Sequence, residues 1–124
     1  MPLALVGFLL SMSFDPTVLT VDLSIAPEPH ASTTQEVAEY VAEKHHLNVY
    51  RFLKTIECES KWDTHAIGDH GTSFGLAQLH YPMRDWGVTK EDAQVPEIAL
   101  EIMAKAWERG EQRRWSCWTS LFGS

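Results

Sequence analysis

The chain has 124 residues, enough for one domain, and its 44% hydrophobic and 22% charged residues exclude wholesale disorder. Seventeen Asp plus Glu against ten Lys plus Arg give a net charge of −7, which argues against nucleic acid, whose binding requires a basic face.

The longest apolar run, Pro2 to Leu10, is about half of a membrane span, so no stable span is expected. Its length suits the apolar core of a secretory signal peptide. Basic residues before that core are missing, and Ser24-Ile25-Ala26, which fits the small-x-small cleavage pattern, is followed by Pro27. A truncated signal, a misplaced start and an ordinary first strand each account for this; the core length favours a degraded or truncated export signal. Ser, Thr, Pro and Asp recur from residue 11 to 34 without a 3.6-residue period, the composition of a linker. Residues 1–32 therefore read as signal segment plus linker, and residues 33–124 as the folded domain.

Order begins at Thr33-Thr34-Gln35-Glu36, a capping box in which Thr and Glu satisfy each other's backbone donors. A helix follows to about His45, with Val37, Ala38, Val41 and Ala42 inward. Asn48 caps a second helix whose Val49, Phe52, Leu53 and Ile56 fall at i, i+3, i+4 and i+7. On that wheel Glu59 lies roughly 70° from the stripe centre, Glu57 about 90°, and Cys58 nearly opposite. Angle alone barely separates the two acids. Residues 61–75, with Asp63, Gly68, Asp69, Gly71 and Gly75, have loop composition. A helical turn is expected from Leu76 to His80, before Pro82. The last strong helix opens on Pro96 and stops at Gly110, with Ile98, Ala99, Ile102, Met103 and Ala106 on one face and Leu100 and Trp107 on the other. No segment alternates usefully with period two. The expected fold class is mainly α: a small domain with a glycine-rich loop beside the helix that ends at Glu59.

That junction carries the chemistry. A carboxylate closes a helix, a glycine-rich loop follows, and Gln78 sits in the next apolar segment. Glycine lets a ligand approach the backbone, and Gln offers both a donor and an acceptor. An acid flanked by Ile56 and Trp62 can be desolvated enough to hold its proton, as a general acid must. Two cysteines, Cys58 and Cys117, read as buried thiols in a cytosolic protein and as one disulfide in an exported one.

At these residues the chain resembles the lytic transglycosylase and goose-type lysozyme superfamily. The Glu59-Ser60 pair and Gly75-Leu76-Ala77-Gln78 match its two hallmarks in order. Cys58-Glu59-Ser60 together with Trp115-Ser116-Cys117 is most similar to the resuscitation-promoting-factor branch. The resemblance covers about residues 49–118. It implies a lysozyme-like fold, a Cys58–Cys117 disulfide, Glu59 as the catalytic acid, and glycan contacts from Ser73, Gly75 and Gln78. Main-branch transglycosylases carry an Asn-Ile pair opening a later helix, where this chain reads Val95-Pro96-Glu97. Either it follows the smaller branch, which lacks the pair, or part of the groove is altered.

Plainer roles stand beside these. Glu59 has a plainer role as a solvated last-turn residue, but a negative charge there opposes the helix dipole, which favours the functional reading. Asp69 reads as a turn residue in Gly68-Asp69-His70-Gly71, or as a second, substrate-side carboxylate. Six histidines show no His-x-x-x-His spacing and the cysteines no Cys-x-x-Cys, so no metal is expected. Ser60 lacks a base partner for nucleophilic work. The aromatics Trp62, Phe74, Tyr81, Trp86, Trp107, Trp115 and Trp118 suit a core, with one or two on a groove wall. The expected protein is a secreted or cell-envelope monomer that cleaves MurNAc–GlcNAc β-1,4 bonds in peptidoglycan glycan strands without a cofactor. A hydrolytic lysozyme and a non-catalytic peptidoglycan-binding module are the alternatives.

Overall fold

The structure, a computed structural model, describes residues 33–123. The proposed signal segment and linker lie outside the described residues. The domain is mainly helical, with one small sheet. Helix α1, Thr34–Lys44, opens on the capping box read from the sequence. Thr33 Oγ1 accepts from Glu36 N at 3.1 Å, and Thr33 N donates to Glu36 Oε1 at 2.9 Å. Ala38, Val41 and Ala42 are buried, while Val37 is partly so. Helix α2, Val49–Ser60, is capped by Asn48, whose Oδ1 accepts from Arg51 N at 2.9 Å. Such a cap contributes about 1 kcal/mol. Phe52 and Ile56 are fully buried; Val49 and Leu53 pack at the core's edge.

The chain then departs from the expected pattern. Strands β1 (Ile67–Gly68), β2 (Ser73–Phe74) and β3 (Leu79–His80) form an antiparallel sheet in that order. Ile67 pairs with Phe74, Gly68 with Ser73, Phe74 with Leu79, and Ser73 with His80. Each strand is two residues long, too short for an alternation to register in the sequence. The expected helical turn at Leu76–His80 is corrected accordingly. Gly75 and Gln78 both take positive φ (81° and 49°), which a right-handed helix excludes, and Gln78 N closes a turn on Gly75 O at 3.0 Å. This turn drops Leu76 and Ala77 into the core. Gly75 is required there for a second reason: a Cβ would run into the Ala93 carbonyl.

Helix α3, Pro96–Glu108, follows as expected, with Pro96 in its first turn and Gly110 beyond its end at φ 81°. It is central: Ala99, Leu100, Met103, Ala104, Ala106 and Trp107 are buried, and Trp107 meets Phe52 edge-on at 5.2 Å. Ile98 and Ile102, expected inward, are only half-buried, because α3 is enclosed on its Leu100–Trp107 side as well. A seven-residue helix α4, Ser116–Phe122, which the sequence reading did not anticipate, packs on α2. The Cys58–Cys117 disulfide fastens the two, across a separation of 59 residues. Among the described residues no helix is long and apolar enough to cross a membrane.

Candidate active site

Glu59 occupies the last turn of α2. Lys61 and Trp62 then both adopt left-handed backbone (φ 52° and 65°), so the chain leaves the helix abruptly. The hairpins it forms next, and the segment entering α4, enclose a groove of about 440 Å³. Glu59 lines it from α2, Asp69, Thr72, Gln78 and His80 from the sheet region, and Arg114, Trp115 and Ser116 from the segment entering α4. An adjoining hollow of about 330 Å³ shares Gln78, His80, Arg114 and Trp115 and adds Tyr81, Asp85 and Trp86.

Glu59 is half-buried, and its Oε2 accepts a hydrogen bond from Cys117 N at 3.1 Å. Burial pushes its carboxyl above the ordinary value of 4.5; the Cys117 N–H pulls the other way, and the nearby charge of Asp69 adds to the rise. The net effect is a carboxyl inclined to keep its proton in a groove that also presents a second carboxylate. Glu57 differs in every respect. It is exposed, pairs with Lys54 at 3.4 Å, and lines a separate hollow beside Tyr50 and Trp62. Tertiary structure thus separates two acids that the helical wheel did not.

The remaining candidates divide between wall and scaffold. Asp69 sits in the β1–β2 turn at φ 53°, which fits the turn reading, yet its carboxylate lines the groove. Ser73 is buried, and its hydroxyl donates to Asp69 Oδ2 and lies 3.0 Å from His80 Nδ1. A hydroxyl has one proton, so the His80 contact is Nδ1–H donating to Ser73 Oγ. Ser73 therefore reaches the groove through the Asp69 it holds. Gly75 is buried beneath Ala93 and shapes the turn that presents Gln78. Gln78 lines the groove; its Nε2 donates to Ala66 O at 3.2 Å and Gly75 O at 3.0 Å, and its Oε1 lies over Gly68, where a Cβ would collide with it. Cys58 and Cys117 hold Glu59 against the α4 entry.

Four wall residues, Thr72, His80, Arg114 and Ser116, were not singled out as site residues from the sequence; Thr72 enters from the β1–β2 turn. His80 enters through its register opposite Ser73, and Arg114 and Ser116 through the disulfide, none of which leaves a local motif. Among the described residues no group of three or more His, Cys, Asp or Glu is placed to hold a metal ion. No family model, curated protein or solved structure matches the chain.

Proposed function

We propose that the protein cleaves the β-1,4 bond between MurNAc and GlcNAc in peptidoglycan, outside the cytoplasm, with Glu59 as its general acid and then its base. The supporting observation is a half-buried carboxyl at a helix end, its pKa raised by burial and one oxygen held by a backbone N–H, inside an open groove. Protonation of the glycosidic oxygen by Glu59 lets the C1–O bond break and leaves a carboxylate. The sugar's own 6-hydroxyl then bonds to C1 and returns its proton to Glu59, giving a 1,6-anhydro end with no water consumed. General acid help contributes about 10²–10⁴ in rate, and fixing the strand supplies more. The disulfide, a bond that persists in oxidising surroundings, supports that compartment.

Asp69 supports a second reading, hydrolysis, because its carboxylate lines the same groove and Ser73 fixes it. A carboxylate so placed can activate water. Mass analysis of soluble fragments released from purified sacculi separates the two, since anhydro products are about 18 Da lighter than hydrolysis products. Glu59→Gln should lower release at least about a hundredfold with folding intact, and Glu57→Gln should keep most of it. The opposite ranking would refute the assignment. Anhydro ends, with Asp69→Asn retaining substantial activity, are the expected outcome; reducing ends and an inactive Asp69→Asn would make the protein a two-carboxylate lysozyme. Binding to sacculi without release of fragments would leave a binding module.

A further inference from the structure

The hollow that adjoins the Glu59 groove has a built floor. Trp86 Nε1 donates to His80 O at 2.9 Å and Trp115 Nε1 to Ala77 O at 2.7 Å, which fixes both rings, with centroids 5.9 Å apart. Arg114 sits over Trp86, its Cζ 4.0 Å from the ring centre. On its outer side Arg114 Nη1 donates to Glu111 Oε1 at 3.0 Å. Glu111 is shared with Arg109, so two guanidinium groups face one carboxylate and a positive charge remains. The Nε and Nη2 donors of Arg114 make no hydrogen bond among the described residues. Stack and ion pair therefore hold a planar donor fork in place with one edge open.

Arg114 lines both cavities, and no other Lys or Arg lines either. The acids nearby are Glu59, Asp69 and Asp85. Burial raises the Glu59 pKa, and Asp85 also lines a hollow with Lys105 and Arg109. A neutral sugar can offer this fork single acceptor oxygens, whereas a carboxylate matches it in both charge and bidentate geometry and so binds it more strongly. We propose that Arg114, braced on Trp86, is a specificity-determining residue that binds a carboxylate carried by the strand next to the bond Glu59 cleaves. This rests on reading the groove as a glycan site. Two parts of the strand supply that chemistry: the lactyl carboxylate of a peptide-free muramyl residue, and the acidic residues of an attached peptide stem.

The test uses the full chain carrying Glu59→Gln, so that binding is read without turnover, with tryptophan fluorescence as the signal. Three tetrasaccharide probes are titrated: neutral chitotetraose, a peptide-free muramyl tetrasaccharide, and the same tetrasaccharide bearing peptide stems. At least one acidic probe should bind about tenfold more tightly than chitotetraose, and which one does identifies the source. Adding Arg114→Gln should bring that ratio close to one, with Arg114→Lys intermediate because it keeps the charge and loses the fork. In protein with Arg114 intact, added salt should weaken the acidic probe far more than the neutral one, a readout independent of any Arg114 variant. Equal affinity for all three probes, or a preference that survives Arg114→Gln, overturns the proposal. If the preference depends on Arg114 while the parent protein releases nothing from sacculi, the carboxylate site stands and strand cleavage fails.

Discussion

Glu59 weakens the fold to keep its proton. Its folded pKa is raised, so between the ordinary 4.5 and that raised value the native state binds more protons than the unfolded chain. Stability contributed at this position therefore falls as pH rises through the window, the reverse of a salt-bridged carboxylate. Glu59→Gln removes the titration and keeps an acceptor for Cys117 N. Thermal scans between about pH 4 and about pH 8 should show the variant gaining on the parent as pH rises, with the two closest at the acid end. A parent that gains on the variant would contradict the burial argument. At this scale the sequence presents Glu57 and Glu59 as near equals. The choice is made by what each acid meets: Lys54 of the same helix and solvent for one, the α4 entry and Asp69 for the other.

Between elements, two ties invite measurement. His45, just past the end of α1, has a side chain only 9% exposed, with Nε2 2.9 Å from Glu101 and Nδ1 2.9 Å from Glu108 on α3. Two carboxylates accept from the ring only if both nitrogens carry protons. Burial disfavours that cation, but the hydrogen bonds and charges of Glu108 and Glu101 outweigh it and raise the pKa above 6.5. For a raised histidine the stabilisation is complete below the ordinary 6.5 and disappears as pH climbs through the folded value. His45→Gln should thus cost most near about pH 6 and progressively less in alkaline buffer, as read from denaturant midpoints. A cost independent of pH would mean that packing alone is lost. The disulfide is the second tie. Cys58→Ser with Cys117→Ser should lose about 2–4 kcal/mol of stability. It should also lower activity in the fraction that remains folded, because the Cys117 N–H bond to Glu59 and the Arg114–Trp115–Ser116 wall depend on where α4 docks. Unimpaired turnover per folded molecule would show that the disulfide serves stability alone. The element-scale signals in the sequence were the capping box, the Asn48 cap, the Val49–Ile56 stripe and Pro96. Each is confined to about two helical turns or less, so each survives as a pattern. The sheet left none, because its pairs join residues 67 to 80 by backbone bonds that depend on turn geometry rather than on side-chain alternation.

For the whole molecule, the ordered signal starts at Thr33, and a chain beginning at Ala31 should keep the far-ultraviolet helical signal and thermal midpoint of the full chain. A midpoint lower by many degrees would assign the apolar N-terminal run to the core. The sequence by itself determined a mainly helical domain, three of its helices, two of them with their N-caps, and a carboxylate–glycine–glutamine constellation, because these rest on spacing within a few residues. Spacing alone left open whether the two cysteines pair and which acid faces the groove; the family resemblance implied the pairing and Glu59. Tertiary structure joined Cys58 to Cys117, set Asp69 and His80 on the wall with Glu59, tucked Gly75 beneath Ala93, and laid Arg114 on Trp86. Those are contacts between segments far apart in the chain. Their energies come from desolvation and packing at the meeting point, which no local window contains.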